Sequence, residues 1–87
     1  MRLIGKEKLL HLKGIDDEID TWVSAWVTEF RSASWLNPVD LEESYPRMVS
    51  LDASEFLFPV CYTNYSIKVI FCFKKSIALI TEVIANE

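Results

Sequence analysis

The chain has 87 residues, of which 51% are hydrophobic, 13% are aromatic and two are glycine, and its formal net charge is −4. This composition excludes intrinsic disorder, which requires low hydrophobicity, and also collagen-like and disulfide-scaffold chains, which need far more glycine or cysteine. A chain of this length forms one small domain stabilised by dense apolar packing, so we expect a single domain over residues 1–87.

The charges are unevenly distributed along the chain. Residues 1–13 hold four bases and one acid, residues 14–58 hold two bases and ten acids, and residues 59–87 hold three bases and two acids. An acidic chain lacks the overall charge typical of a nucleic-acid-binding protein. The basic sections at the two ends remain candidates for local RNA contacts if the fold makes them neighbours.

The sequence also bears on location and on the two cysteines. It has no apolar stretch of the roughly 20 residues that a membrane helix needs, and its start lacks the apolar region of a signal peptide, so we expect a cytoplasmic protein without membrane contact. If Cys61 and Cys72 lie on successive strands that turn near Thr63–Asn64, they are about 20 Å apart. A disulfide needs Cα atoms within about 7 Å. We therefore expect two buried free thiols.

The first predicted elements lie in the basic N-terminal section. Arg2–Ile4 is a candidate edge strand, and Lys6–Leu12 is a candidate short helix whose apolar side holds Leu9, Leu10 and Leu12. Lys6 and Lys8 on this segment are candidate RNA-binding residues, as are Lys74 and Lys75 near the other end of the chain. The alternative for the N-terminal lysines is a solvated helix face.

The longest predicted helix covers Ile15–Ala33. Its apolar residues recur at the spacing of one helical face, namely at Ile19, Trp22, Val23, Trp26, Val27 and Phe30. Acidic residues crowd its first turn, where they interact favourably with the helix N-terminus. Tryptophans at this spacing are typical of a core face, and a ligand-stacking platform is the alternative.

A second predicted helix begins at Asn37, with Asn37 as the N-cap and Pro38 at the first position, and it ends before Pro46. The remainder is rich in Val, Ile, Phe and Tyr and predicts four strands in antiparallel succession: Met48–Leu51, Glu55–Cys61, Tyr65–Phe73 and Ile77–Ile84. We therefore predict an α+β fold with N-terminal helices packed on an antiparallel sheet of about four strands. Alternation alone leaves open which face of the third strand meets the helices.

Motifs for self-sufficient chemistry are missing from the sequence. It has no glycine-rich phosphate loop, no metal-ligand spacing and no nucleophile with a base in recognisable context, and His11 is its one histidine. We expect no metal and no other cofactor.

Read as a whole, the chain resembles the HigB family of bacterial toxins, within the RelE-like fold. The resemblance covers nearly the whole chain and depends on the order of its segments: Met1–Ile4, Trp22–Phe30, Ala33–Leu41, Tyr45-Pro46, Phe56–Val60 and Ile67–Ile70. It implies a toxin of a type II toxin–antitoxin system, a ribosome-associated mRNA endonuclease that a cognate antitoxin protein inhibits. The implied partners are the antitoxin, and mRNA on the ribosome.

The resemblance also implies site residues, and the chain departs from the family there. The strand arginine falls on Lys68, which keeps the charge but loses the two-pronged phosphate contact of a guanidinium. The next strand's arginine falls on Thr81, and the family's Thr-His falls on Ala85-Asn86, so the implied catalytic positions are Lys68 and Asn86. The family's following Tyr-Asp would lie after Glu87, and a longer gene product that restores this pair is a further possibility.

Two hypotheses follow from these departures. The first is a HigB-like mRNA interferase that uses Lys68 and the N-terminal lysines on RNA. The second is a catalytically inactive member of the same fold that acts as a protein-binding or regulatory module, with an antitoxin-type protein or a second copy of itself as partner. Lys68 has a structural alternative too, because a turn centred near Lys75 places it opposite Glu82 as a cross-strand ion pair.

Overall fold

A computed structural model describes residues 1–85 and has an α+β fold, with helices on one face of a five-stranded sheet. Between the first two strands lie a 3₁₀ helix and two α-helices, and a 3₁₀ turn joins the last two strands. In chain order the elements are β1 Arg2–Ile4, the 3₁₀ helix Lys6–Leu12, α1 Asp17–Ser32, α2 Pro38–Ser44, β2 Val49–Ser50, β3 Glu55–Pro59, β4 Tyr65–Cys72, the 3₁₀ turn Phe73–Lys75 and β5 Ile77–Ala85.

The sheet is mixed, which differs from the predicted antiparallel sheet of about four strands. Its order is β1-β5-β4-β3-β2, and β2 to β5 pair in antiparallel succession. The difference is β1, which lies parallel to β5 at the sheet edge, with the Arg2 N–H donating to the Ser76 carbonyl at 2.8 Å. Parallel neighbours need a long crossover connection, and here the rest of the chain is that connection.

Each α-helix begins at a side-chain N-cap, which is Asp16 for α1 and, as predicted, Asn37 for α2. The Asp16 carboxylate accepts from the Glu18 N–H at 2.7 Å, and the Asn37 side-chain oxygen accepts from the Asp40 N–H at 3.1 Å. These bonds satisfy amide groups that have no partner within the helix. Among residues 1–85, neither these helices nor any other is long and apolar enough to cross a bilayer.

The core is an aromatic cluster between α1 and the sheet. Phe30 is fully buried, and its ring centroid lies within 6 Å of five other rings, at 4.1 Å (Trp26), 4.8 Å (Trp35), 5.4 Å (Phe58), 5.7 Å (Phe71) and 5.9 Å (Tyr45). The predicted apolar face of α1 is confirmed as a core face, because Ile19 and Trp26 are buried there too.

The structure decides which face of β4 meets the helices. Ile67, Val69 and Phe71 are buried, whereas Ile70 and Cys72 are exposed. The sheet face that carries Ile70 and Cys72 is therefore turned away from the helices, and we call it the open face.

The β3–β4 register and the burial of the cysteines were predicted wrongly. Strand β3 ends at Pro59, which pairs with Ser66, where Cys61 was expected to pair. Cys61 has a left-handed φ of 50° and lies in the loop. A shift of two residues leaves every side chain on its expected face. Both thiols are free as predicted, but Cys61 is half-buried and Cys72 is exposed on the open face.

The two glycines give a matched pair of stability predictions. Gly5 and Gly14 both have positive φ, at 90° and 80°. A Cβ on Gly5 would lie 2.6 Å from the Ile80 carbonyl oxygen, whereas a Cβ on Gly14 would have no neighbour within 4 Å. We expect Gly14→Ala to lower the free energy of unfolding by about 1–2 kcal/mol, the cost of left-handed backbone. Gly5→Ala should cost about 1–3 kcal/mol more, because the backbone must shift.

Urea denaturation of both variants measures this difference. Equal losses for Gly5→Ala and Gly14→Ala would contradict the close approach of β5 to Gly5.

Candidate functional site

The candidate site lies near the middle of the open face. Lys68 on β4 pairs with Leu57 on β3 and with Glu82 on β5. Directly paired residues of neighbouring strands share a face, and so do residues two apart on one strand. Leu57, Ile70 and Leu79 therefore lie on the same face as Lys68 and Glu82. The two charged side chains have apolar neighbours there.

The Lys68 ammonium is held between two carboxylates. Its Nζ lies 3.6 Å from Glu55 Oε1 and 3.6 Å from Glu82 Oε1. The exposed fractions of the side chains are 27% for Lys68, 23% for Glu55 and 56% for Glu82. These three residues form the Lys68 cluster, whose formal charge is −1. The predicted pair with Glu82 is confirmed.

Glu55 was not predicted as part of the site. It lies diagonal to Lys68, because Glu55 pairs with Ile70 in the observed register. The predicted register placed Glu55 opposite Cys72, too far along β4 to reach Lys68. A β3–β4 loop that begins after Pro59 gives the observed register, and that register would have revealed the contact between Glu55 and Lys68.

A tight turn fixes the backbone of Glu55. The Asp52 carboxylate accepts from the N–H groups of Ser54 at 2.8 Å and Glu55 at 2.9 Å. These hydrogen bonds stabilise the charged form of the Asp52 carboxyl and so hold its pKa below the usual value. The bond from the Ser54 N–H contributes most, followed by the bond from the Glu55 N–H. The Glu55 carbonyl in turn accepts from the Leu51 N–H at 2.8 Å. The start of β3 is therefore well defined, which places the Glu55 side chain beside Lys68.

A β-bulge lies directly beside Lys68. Lys68 pairs with Glu82 and Val69 pairs with Ile80, so Thr81 is the extra residue on β5. The Thr81 hydroxyl donates to the Lys68 carbonyl at 3.2 Å. Bulges re-aim side chains and are common next to active sites. Thr81 is the position where the family resemblance places a second arginine.

Arg2 and the lysines of the turn before β5 lie at one end of the sheet. Lys74 and Lys75 are exposed in the 3₁₀ turn before β5, and the Arg2 N–H bonds the carbonyl of the adjacent Ser76. Lys68 lies four residues before the end of β4, which corresponds to about 13 Å along the strand. The turn lysines are therefore neighbours of Arg2 rather than part of the Lys68 cluster.

The N-terminal lysines lie on the helical side of the molecule. Lys6 is exposed and Lys8 is half-buried on the 3₁₀ helix, whose Leu9 and Leu12 are buried in the core. The helical layer and the open face are on opposite sides of the sheet, so the structure does not bring Lys6 or Lys8 together with Lys68. Asn86, the other implied catalytic position, lies outside the described residues.

The chemistry that this arrangement offers is electrostatic. The Lys68 ammonium is a cation able to stabilise a phosphate oxygen, while His11 lies on the 3₁₀ helix, away from the open face. Within residues 1–85, no three His, Cys, Asp or Glu side chains are grouped so as to hold a metal ion. No protein-family model matches the chain, and neither does any curated protein. The function is therefore inferred from the residues and their arrangement.

Proposed function

We propose that the chain is a HigB-like toxin of a type II toxin–antitoxin system, with a RelE-like fold. It acts in the cytoplasm as a ribosome-associated mRNA endonuclease, and a cognate antitoxin protein inhibits it. The observation that carries the proposal is the position of Lys68, a cation on the open face of a sheet, in the strand where the resemblance places an arginine. The resemblance in the order of sequence segments, which covers nearly the whole chain, supports it.

In this proposal Lys68 acts on the phosphate at the cleaved bond. A positioned cation stabilises the negative charge that develops on the phosphate oxygens in the transition state. Lysine supplies the charge but not the planar two-pronged contact of arginine. The exposed lysines of the turn before β5, Lys74 and Lys75, are a separate basic group that contacts the RNA backbone farther along the sheet.

A second candidate function is a catalytically inactive member of the same fold that binds a protein partner. The specific observation in its favour is that two carboxylates flank Lys68, so the cluster carries a formal charge of −1 and repels phosphate. Thr81 beside it is uncharged. Under this hypothesis the partner is an antitoxin-type DNA-binding protein or a second copy of the chain.

Growth of a bacterial host after induction of the chain alone tests the first proposal. We expect the unmodified chain to arrest growth and Lys68→Ala to relieve the arrest, since one positioned charge is worth about 10²–10³-fold in rate. Lys68→Arg should retain the arrest. Lys13→Ala, which removes an exposed lysine on the helical side, is the matched control and should behave like the unmodified chain.

The same cultures separate the two candidates. Unimpaired growth with folded, abundant protein, or arrest that survives Lys68→Ala, would contradict the first proposal. The second candidate predicts a non-toxic chain that is recovered with an antitoxin-type partner or as an oligomer. A chain that remains alone and sediments as a monomer would contradict the second candidate.

A further inference from the structure

A groove between the 3₁₀ helix Lys6–Leu12 and α1 is not used by the site described above. Its volume is about 320 Å³. Leucine and valine side chains form its walls and two lysines lie at its rim: Leu9, Leu10, Leu12, Val23, Lys6 and Lys13. It opens on the helical side of the molecule, opposite the Lys68 cluster.

The geometry of the 3₁₀ helix explains why Leu10 is exposed in this groove. With three residues per turn, side chains three positions apart lie above one another. Leu9 and Leu12 therefore form one column, which is buried in the core. Leu10 is turned a third of a revolution away and is 65% exposed. A large apolar side chain exposed on the wall of an apolar groove is available to a partner.

The charged residues of the groove lining are Lys6, Lys13 and Asp20, so its formal charge is +1. Lys6 and Lys13 are both exposed, within a section of four bases and one acid. The acid in the lining is Asp20, whose carboxylate accepts from the Gly14 N–H at 3.2 Å. An apolar floor with cations at its rim is complementary to an apolar ligand with flanking carboxylates.

The walls of the groove favour a protein ligand over RNA. Single-stranded RNA is bound by aromatic side chains on which its bases stack. The apolar lining is aliphatic instead. Aliphatic grooves bind the apolar face of an amphipathic helix, with anchors at i, i+3 or i+4, and i+7.

We propose that this groove binds an acidic amphipathic helix of a partner protein. Its apolar anchors pack against Leu10 and Val23, and its Asp or Glu side chains face Lys6 and Lys13. Lys6 thereby has a protein-binding role instead of the RNA-binding role that the sequence predicted. This interaction does not depend on RNA cleavage, because the groove and Lys68 lie on opposite sides of the sheet.

Fluorescence anisotropy with the full chain and two labelled peptides tests the proposal. Both peptides are helical, about 15 residues long, with leucines along one face, and they differ only in having Glu or Lys at the flanking positions. We expect the Glu peptide to bind at least about tenfold more tightly than the Lys peptide. Leu10→Glu should weaken the Glu peptide by about tenfold or more, and Lys6→Glu with Lys13→Glu should reverse the preference. Lys68→Ala should leave both affinities unchanged.

Two controls separate a loss of peptide binding from a loss of folding. Leu10 is exposed, so Leu10→Glu should fold, and circular dichroism checks this; Leu10→Ala provides a milder second variant. Equal binding of the two peptides, or binding that is indifferent to Leu10→Glu and Leu10→Ala, would overturn the proposal. So would an RNA oligonucleotide whose binding requires Lys6, or a dimer of the chain that Leu10→Glu dissociates in sedimentation.

Discussion

Phe30→Ala is expected to lower the free energy of unfolding by about 3–5 kcal/mol, the usual cost of removing a buried aromatic ring. Phe30 is fully buried and its ring contacts side chains from α1, from the loop after α1, and from β3 and β4. A chain of this size has a total stability of roughly 4–13 kcal/mol. The substitution should therefore leave much of the protein unfolded at moderate temperature.

Urea denaturation followed by tryptophan fluorescence measures the Phe30→Ala effect. Leu36→Ala is the matched control, because Leu36 is 76% exposed and exposed substitutions usually change stability by less than about 0.5 kcal/mol. Phe30→Leu should fall between the two. A loss below about 1 kcal/mol for Phe30→Ala would contradict the aromatic cluster as the centre of the core.

The double substitution Glu55→Gln with Glu82→Gln is expected to strengthen RNA binding and cleavage by about 3–30-fold. It changes the formal charge of the Lys68 cluster from −1 to +1 and releases the ammonium from both carboxylates. Each partly exposed pair is worth up to about 1 kcal/mol, and 1.4 kcal/mol corresponds to a factor of ten. The same substitutions should lower the free energy of unfolding by at most about 2 kcal/mol.

The control for this prediction is Glu42→Gln with Glu43→Gln on α2, where both residues are exposed. It changes the net charge of the chain by the same amount, far from Lys68 in the fold. The affinity for a short RNA and its single-turnover cleavage rate should rise with the Glu55 and Glu82 substitutions and hardly change with the Glu42 and Glu43 substitutions. Equal responses would mean that overall charge, and not release of Lys68, controls the interaction with RNA.

Local features of the fold were predictable from the sequence. The Asn37 cap depends on a residue three positions away, and the core face of α1 follows from helical spacing. The Lys68–Glu82 pair was predicted from a turn centred near Lys75, but the observed turn pairs Cys72 with Ile77, and the bulge at Thr81 is what brings Glu82 opposite Lys68.

Non-local features were not predictable in the same way. The parallel pairing of β1 with β5 joins the two ends of the chain, and nothing in either segment specifies its partner. The β3–β4 register depends on where the loop begins, which Pro59 and the left-handed backbone of Cys61 determine. Glu55 was missed as a member of the Lys68 cluster for this reason alone.

The groove on the helical side was not predictable from the charge pattern of the sequence. Lys6 and Lys8 belong to a basic run, which suggested RNA contact. The groove that gives Lys6 an apolar neighbour arises only when the 3₁₀ helix packs beside α1 and leaves Leu10 exposed. A charge pattern alone does not show whether its residues border an apolar surface.

Mapping of mRNA ends in a reconstituted translation reaction tests whether the chain is an mRNA endonuclease that depends on Lys68. Purified chain is added to ribosomes that are translating a defined message, and primer extension locates new ends. We expect cleavage within the translated region by the unmodified chain and by Lys68→Arg, and a loss of about 10²-fold or more for Lys68→Ala. Intact message in the presence of excess folded chain, or cleavage that Lys68→Ala leaves unchanged, would show that the chain is not such an endonuclease.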